Sequence, residues 1–214
     1  MDGGQPTPLS SLRLATTWFR SRVLQDQAAR WNHQYATGRW EKLKSPAERA
    51  RFDATAQLLA GHAPAGEILE IGCGEALLQQ RMAPGSYRHW LGVDLSAVAI
   101  ERANAFSNGS AGYVVADMEN FAPVAKFDAV VFTESIYYSA DSGRLLQRYG
   151  KFLKPGGVFV VSIFQTKRSP AVWEKSMRSP ASSTLTAPRA DWGCGIAKCS
   201  SRRPGRRRRV SAAK

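Results

Sequence analysis

The sequence predicts an α/β fold with a doubly wound, mostly parallel sheet, and three observations carry that reading. Between Glu67 and Ile163, short runs dense in β-branched and aromatic residues alternate with segments of helical periodicity. The first run, EILEI, passes into the glycine-rich turn Gly72-Cys73-Gly74, and the next, WLGVD, ends on the carboxylate of Asp94. Glycines there let the backbone approach a ligand closely, and a carboxylate at the end of the next strand can accept hydrogen bonds from both hydroxyls of a ribose. The pattern describes a pocket for a nucleoside-bearing ligand.

Taken in order, residues 1–60 read as a helical, polar segment with the aromatic run RWNHQYATGRWEKL between two helix-like stretches. In SPAERARFDATAQLLAGH, Ser45 is placed as an N-cap, Pro46 as the first helical residue, Glu48 at the capping-box position and Gly61 near the end. Phe52, Ala56, Leu59 and Ala60 would form its buried face. Residues 61–165 form the alternating core, with helices on both faces of the sheet. Its first strand is expected to open a helix directly after the glycine turn. GYVVA, FDAVVF and GVFVVSIF supply further strands with the composition of strands buried on both faces. SAVAIERANAF and SGRLLQRYGKFL supply helices, and Pro155-Gly156-Gly157 turns into the last parallel strand.

The glycine turn lacks the dinucleotide fingerprint G-x-G-x-x-G, since Leu77 stands where the third glycine belongs. Glu70-Ile71-Gly72-Cys73-Gly74-Glu75-Ala76 instead resembles motif I of the class I S-adenosylmethionine-dependent methyltransferases, with Ala76 in place of the last glycine. The resemblance runs from Glu67 to Ile163 and implies a Rossmann-like methyltransferase fold with S-adenosylmethionine as cofactor. Acidic Glu70 and Glu75 suit a ligand that carries an ammonium and a sulfonium but no phosphate. The resemblance further implies that Gly72, Cys73 and Gly74 approach the cofactor, that Asp94 takes the ribose hydroxyls and that Leu95 lines the adenine pocket. Asp117 would face the adenine amino group with Met118 packed on the ring, and Thr133 and Glu134 would sit under the methionine part. Trp31, Tyr35, Gly38 and Trp40 look like the lid of small-molecule methyltransferases, with Tyr35 and Trp40 over the cofactor and Arg39 near its carboxylate.

Each motif also has a structural reading. A lone G-x-G is often only a tight turn, and Asp94 or Asp117 alone would serve equally as a helix cap. Cys73, with no base in sequence reach, reads as a small buried filler. For catalysis, Glu134, Tyr138 and His33, with Tyr137 beside them, are the candidates to orient an acceptor or take its proton. The N/D-P-P-Y signature of DNA-amine methyltransferases is absent, because Thr133-Glu134-Ser135-Ile136 stands there. The expected acceptor is therefore a small molecule bearing an amine or hydroxyl. The whole pattern is similar to bacterial enzymes acting on sugar-derived or secondary metabolites, nodulation-type N-methyltransferases included.

Size and charge bound the rest. The 214 residues are 43% hydrophobic, enough for one domain with appendages, and no run is long enough to span a bilayer. The start MDGGQPTPLSS lacks a secretion pattern, so a cytoplasmic location is expected. Three cysteines suggest neither a disulfide framework nor a zinc site. Residues 166–214 hold 13 of the 30 Lys and Arg but 2 of the 17 Asp and Glu, placing +11 of the +13 formal charge there. This Ser, Pro, Gly and Arg-rich tail is expected to be disordered, leaving the last strands of the fold missing. An out-of-frame translation near Met177 would produce such a tail, a hypothesis tested by DNA sequencing through that codon. Two alternatives follow: a methyltransferase-fold protein impaired by an aberrant C-terminus, and a nucleic-acid-binding protein acting through Arg206 to Arg209.

Overall fold

Strands β1 (Gly66–Ile71), β2 (Tyr87–Asp94), β3 (Ala111–Val115), β4 (Phe127–Thr133) and β5 (Leu153–Ile163) form where Val, Ile and aromatic residues are densest. The computed structural model describes residues 23–164, 169–177, 184–186 and 193–198. The five strands pair in parallel in the order β3-β2-β1-β4-β5. The order reverses between β1 and β4. That reversal opens a crevice at the carboxyl ends of these strands, where open α/β sheets bind ligands.

Helices cover both faces. Consecutive residues point to opposite sides of the sheet, so Ile68, Val131 and Val160 join one core while Leu69, Phe132 and Val161 join the other. Phe52 and Leu59 of α2 (Pro46–His62) and Ile100 of α3 (Ala97–Ala103) pack into the first; Leu146 and Tyr149 of α4 (Ser142–Tyr149) pack into the second. Each such fully buried side chain contributes about 1.5–3 kcal/mol relative to exposure. Helix α1 (residues 23–36) precedes α2, and α5 (Ser169–Met177) lies against α4. Among the described residues, no helix is long and apolar enough to cross a membrane.

Four sequence expectations need correction. No α-helix opens after β1: residues 74–78 are turn, followed by a 3-10 helix at Gln79–Arg81, because Ala76 adopts φ 61 and so leaves the right-handed helical region. Ser45 is the N-cap of α2 and Pro46 its first residue, but no capping box forms. Ser45 makes no side-chain cap bond, and Glu48 turns instead to Arg51 Nη2 at 3.0 Å. The buried face of α2 runs through Arg51, Phe52, Thr55 and Leu59, with Ala60 exposed, as the i, i+4 spacing from Phe52 through Ala56 rotates Ala60 off the sheet.

The last correction concerns the end of the sheet. Strand β7 (Gly193–Lys198) pairs antiparallel with β5 from Val158↔Lys198 to Ile163↔Gly193, and β6 (Thr184–Thr186) pairs with β7. A ladder is made by backbone N–H and C=O groups, so the short, glycine-rich GCGIAK satisfies the edge of β5 without the apolar run that composition searches for. The arginine run Arg206 to Arg209 lies outside the described residues.

Candidate functional site

One cavity of about 360 Å³ opens at the carboxyl ends of β1, β2 and β4, within the size range of small-molecule sites. Its floor is the turn after β1. Gly72 N–H and Cys73 N–H both donate to the carbonyl of Val93, at 2.7 and 3.0 Å, binding the turn to β2. Gly72 has φ +76, and a Cβ there would lie 2.4 Å from Ser135 Cβ; at Gly74, with φ +53, a Cβ would lie 2.7 Å from the Tyr35 hydroxyl. Both positions thus require glycine for backbone conformation and for space.

Asp94 holds this floor together. Its Oδ2 accepts from Gly74 N–H at 2.9 Å and its Oδ1 from Ser96 N–H at 2.8 Å. Each oxygen keeps a second lone pair for a ligand hydroxyl. Burial pushes its carboxyl above the ordinary value, opposed by the N–H groups of Ser96, Gly74 and Leu95. Leu95, Ala116, Asp117 and Met118 continue the wall. That loop is pinned from α4, where Tyr149 Oη and Arg148 Nη1 donate to the Met118 carbonyl at 2.9 and 3.0 Å. Asp117 accepts from Glu119 N–H at 3.0 Å.

At the other end, β1 and β4 present Glu70, Thr133 and Glu134. Glu70 is 1% exposed, and burial pushes its carboxyl up to about 8. Glu134 has φ 55, and its oxygens are already occupied: Oε1 accepts from Ser162 Oγ at 2.7 Å and faces Arg51 Nη1 at 3.6 Å. Its Oε2 accepts from Phe164 N–H at 2.7 Å and Tyr137 Oη at 3.2 Å. Glu134 therefore ties β4, β5 and α2 together. Glu75 is taken too, by Lys44 and Arg102; burial works to raise its carboxyl, and these two ion pairs outweigh it and hold it low.

The roof comes from residues 31–40. Trp31 and Tyr35, one helical turn apart on α1, face the cavity with Trp40, the Trp31–Trp40 and Tyr35–Trp40 ring centroids lying 5.8 and 6.2 Å apart. Tyr138 meets Trp31 edge-on at 4.7 Å. His33 is not brought in: two residues from both Trp31 and Tyr35, it falls on the far side of α1 and is exposed. Arg39 is likewise exposed and stacks on Trp40 at 6.0 Å, outside the cavity wall. Cys73 lines the cavity but is 5% exposed, and burial raises its thiol well above the usual range, so it is held as an inert thiol.

The residue that sequence reading missed is Arg51. It is 5% exposed, lines the cavity, and its Nε is buried with no hydrogen-bond partner among the described residues. An arginine on the buried face of α2, beside Phe52, was its visible signal. Glu70 Oε2, Thr133 Oγ1 and Trp40 Nε1 share that condition on the same cavity wall. Four unpartnered buried polar atoms around one cavity mark the place of a polar ligand.

Residues 69–161 match the family model described as methyltransferase domain. In those residues, which run from β1 to β5, the chain is similar to a methyltransferase domain. The chain is 29% identical over 126 residues to nodulation protein S of Rhizobium tropici, covering 56% of this chain and 52% of that protein. It is 31% identical over 150 residues to the 27-O-demethylrifamycin SV methyltransferase of Amycolatopsis mediterranei, covering 66% and 55%. The chain spans about half the length of the curated relatives it matches. Its fold is that of N-methyltransferase NodS from Bradyrhizobium japonicum, solved with S-adenosyl-l-homocysteine, at TM-score 0.61 and 22% identity over 76% of this chain and 92% of that one.

Proposed function

We propose that the protein transfers the methyl group of S-adenosylmethionine to an amine of a small molecule. The observation that carries this reading is the ring of unpartnered buried polar atoms, Arg51 Nε, Glu70 Oε2, Thr133 Oγ1 and Trp40 Nε1, around a glycine floor closed by Asp94. The donor set fits the cofactor along its length. Asp94 would take the ribose hydroxyls, Leu95, Asp117 and Met118 the adenine, and Gly72, Cys73 and Gly74 the backbone approach between them. Arg51, rather than Arg39, would receive the carboxylate, because it is the guanidinium that is both buried and in the cavity wall. Glu70 and Thr133 would face the ammonium.

When bound, the cofactor supplies a methyl group made electrophilic by positive sulfur. The chain's own contribution is chiefly placement and exclusion of water. Tyr35 and Trp40 close over the floor, while Trp31, Tyr137 and Tyr138 form an aromatic wall for the acceptor. Burial raises the hydroxyls of Tyr137 and Tyr138 above the ordinary phenol value, so both stay protonated and donate or pack. Glu134 already accepts three hydrogen bonds and an arginine contact. A neutral amine needs no base to attack, and that nucleophile suits such a wall.

The relative named 27-O-demethylrifamycin SV methyltransferase favours a second reading, a hydroxyl acceptor. Glu134 or Tyr138 would then have to take the proton. Incubation with methyl-labelled S-adenosylmethionine and paired amino and hydroxy acceptors separates the two by mass spectrometry. Label on nitrogen supports the proposal; label confined to hydroxyl acceptors overturns it.

A further inference from the structure

Four charged side chains from three elements meet beside the glycine floor. Glu75, in the turn after Gly74, is 7% exposed; its Oε2 receives Lys44 Nζ at 2.6 Å and its Oε1 receives Arg102 Nη1 at 2.5 Å. Glu41 faces the same two cations, at 2.9 Å from Lys44 and 3.5 Å from Arg102. Glu41 and Lys44 bound the 3-10 helix at the end of the lid, and Arg102 lies on α3. The two carboxylates and two cations alternate in a ring, so each charge has opposite neighbours. A second tie fixes the start of the lid, where Asn32 Oδ1 accepts from Ser96 Oγ at 2.8 Å and Val98 N–H at 3.3 Å. Between the ties, Tyr35 sits against Gly74.

We propose that Lys44 and Arg102 are positioning residues that clamp the lid over the bound cofactor by gripping Glu75, so that salt loosens the cofactor by opening the lid. The proposal rests on reading the cavity as the S-adenosylmethionine site. Its physical basis is an asymmetry of exposure. Glu75 is buried, so losing its cations leaves an uncompensated charge, whereas Lys44 and Arg102 are 43% and 38% exposed and open to screening by salt. Lid opening is the way to relieve that charge, because it returns Glu75 to water. The product S-adenosylhomocysteine carries one carboxylate and one ammonium, so its own contacts respond weakly to salt and its affinity reports the lid.

The test is calorimetric titration with S-adenosylhomocysteine at about 0.05 M and about 1 M potassium chloride, where the screening length shrinks to about 3 Å. The proteins compared are the wild type, a Lys44→Met/Arg102→Met double variant and a Lys154→Met control. Lys154 bridges Glu67 and Asp128 at 3.2 and 2.8 Å near the amino ends of the strands, away from the cavity, so its loss removes a comparable ion pair elsewhere. Wild type and control should lose about tenfold in affinity at high salt. The double variant should bind about tenfold more weakly already at low salt and show little further change. Hydrogen exchange of residues 31–44 in the ligand-free protein supplies an independent reading, and those amides should exchange faster in the double variant. Wild-type affinity, salt response and amide protection in that variant would overturn the clamp. Should the double variant not fold, Lys44→Met alone is put through the same comparison. Failure of the wild type to bind the product at all would count against the cofactor site, while unchanged amide protection in the variant would still count against the clamp.

Discussion

Burial and pairing decide what each carboxylate of the cavity can do. Glu70 is pushed up to about 8 by burial, far above an unfolded glutamate. The folded state therefore holds its proton more tightly, so this residue's contribution to stability is complete below about pH 4.5 and is lost as pH rises toward about 8. The thermal midpoint of the wild type should accordingly fall relative to that of Glu70→Gln across this window, by about 2–4 °C for each kcal/mol, and calorimetric scans of both proteins check it. Parallel curves would contradict the burial argument. Gly74→Ala brings a Cβ to 2.7 Å from the Tyr35 hydroxyl at φ +53, a conformation costing about 1–2 kcal/mol for a residue with a Cβ. About tenfold weaker product binding is expected, with part of the loss restored by Tyr35→Phe because the hydroxyl is the atom in the way. Residue type and spacing made Gly72, Gly74, Asp94 and Met118 legible in sequence, since loop and strand ends place them automatically. They could not place His33, whose side of α1 is fixed by the packing of Trp31 and Tyr35, nor reveal Arg51, whose partner Glu134 is distant in the chain.

The elements were legible where composition alone determines them. Strands β1 to β5 and helices α2 to α4 follow from β-branched runs and helical spacing because both faces of the sheet must be covered. The turn after β1 was misread as a helix because nothing in Ala76 announces a left-handed backbone. Strand β7 was missed because backbone pairing with β5, not its own apolarity, stabilises it. Removing the chain from residue 193 onward would strip six paired positions from β5 and leave an apolar edge exposed. Such a truncation should raise light scattering on concentration compared with the full chain. Equal solubility of the two would show that this ladder does not protect the sheet.

For the molecule as a whole, charge and function separate along the sequence. Most of the formal charge lies in residues 166–214, whereas the cavity is built between residues 27 and 164. In the function proposed above, the cavity beneath residues 31–40 is a cofactor site organised by Asp94, whose oxygens already anchor Gly74 and Ser96. Hydrogen bonds to a charged group contribute about 1.5–3 kcal/mol each, so removing this carboxylate should weaken binding on the order of a hundredfold. The direct measurement is calorimetric titration of the full chain and of Asp94→Ala with S-adenosylhomocysteine, with NAD as the comparison ligand. The wild type should bind S-adenosylhomocysteine but not NAD, and Asp94→Ala should lose most of that binding. A folded wild type that ignores S-adenosylhomocysteine, or an Asp94→Ala variant that binds it as tightly as wild type, would overturn the assignment of this cavity to the cofactor.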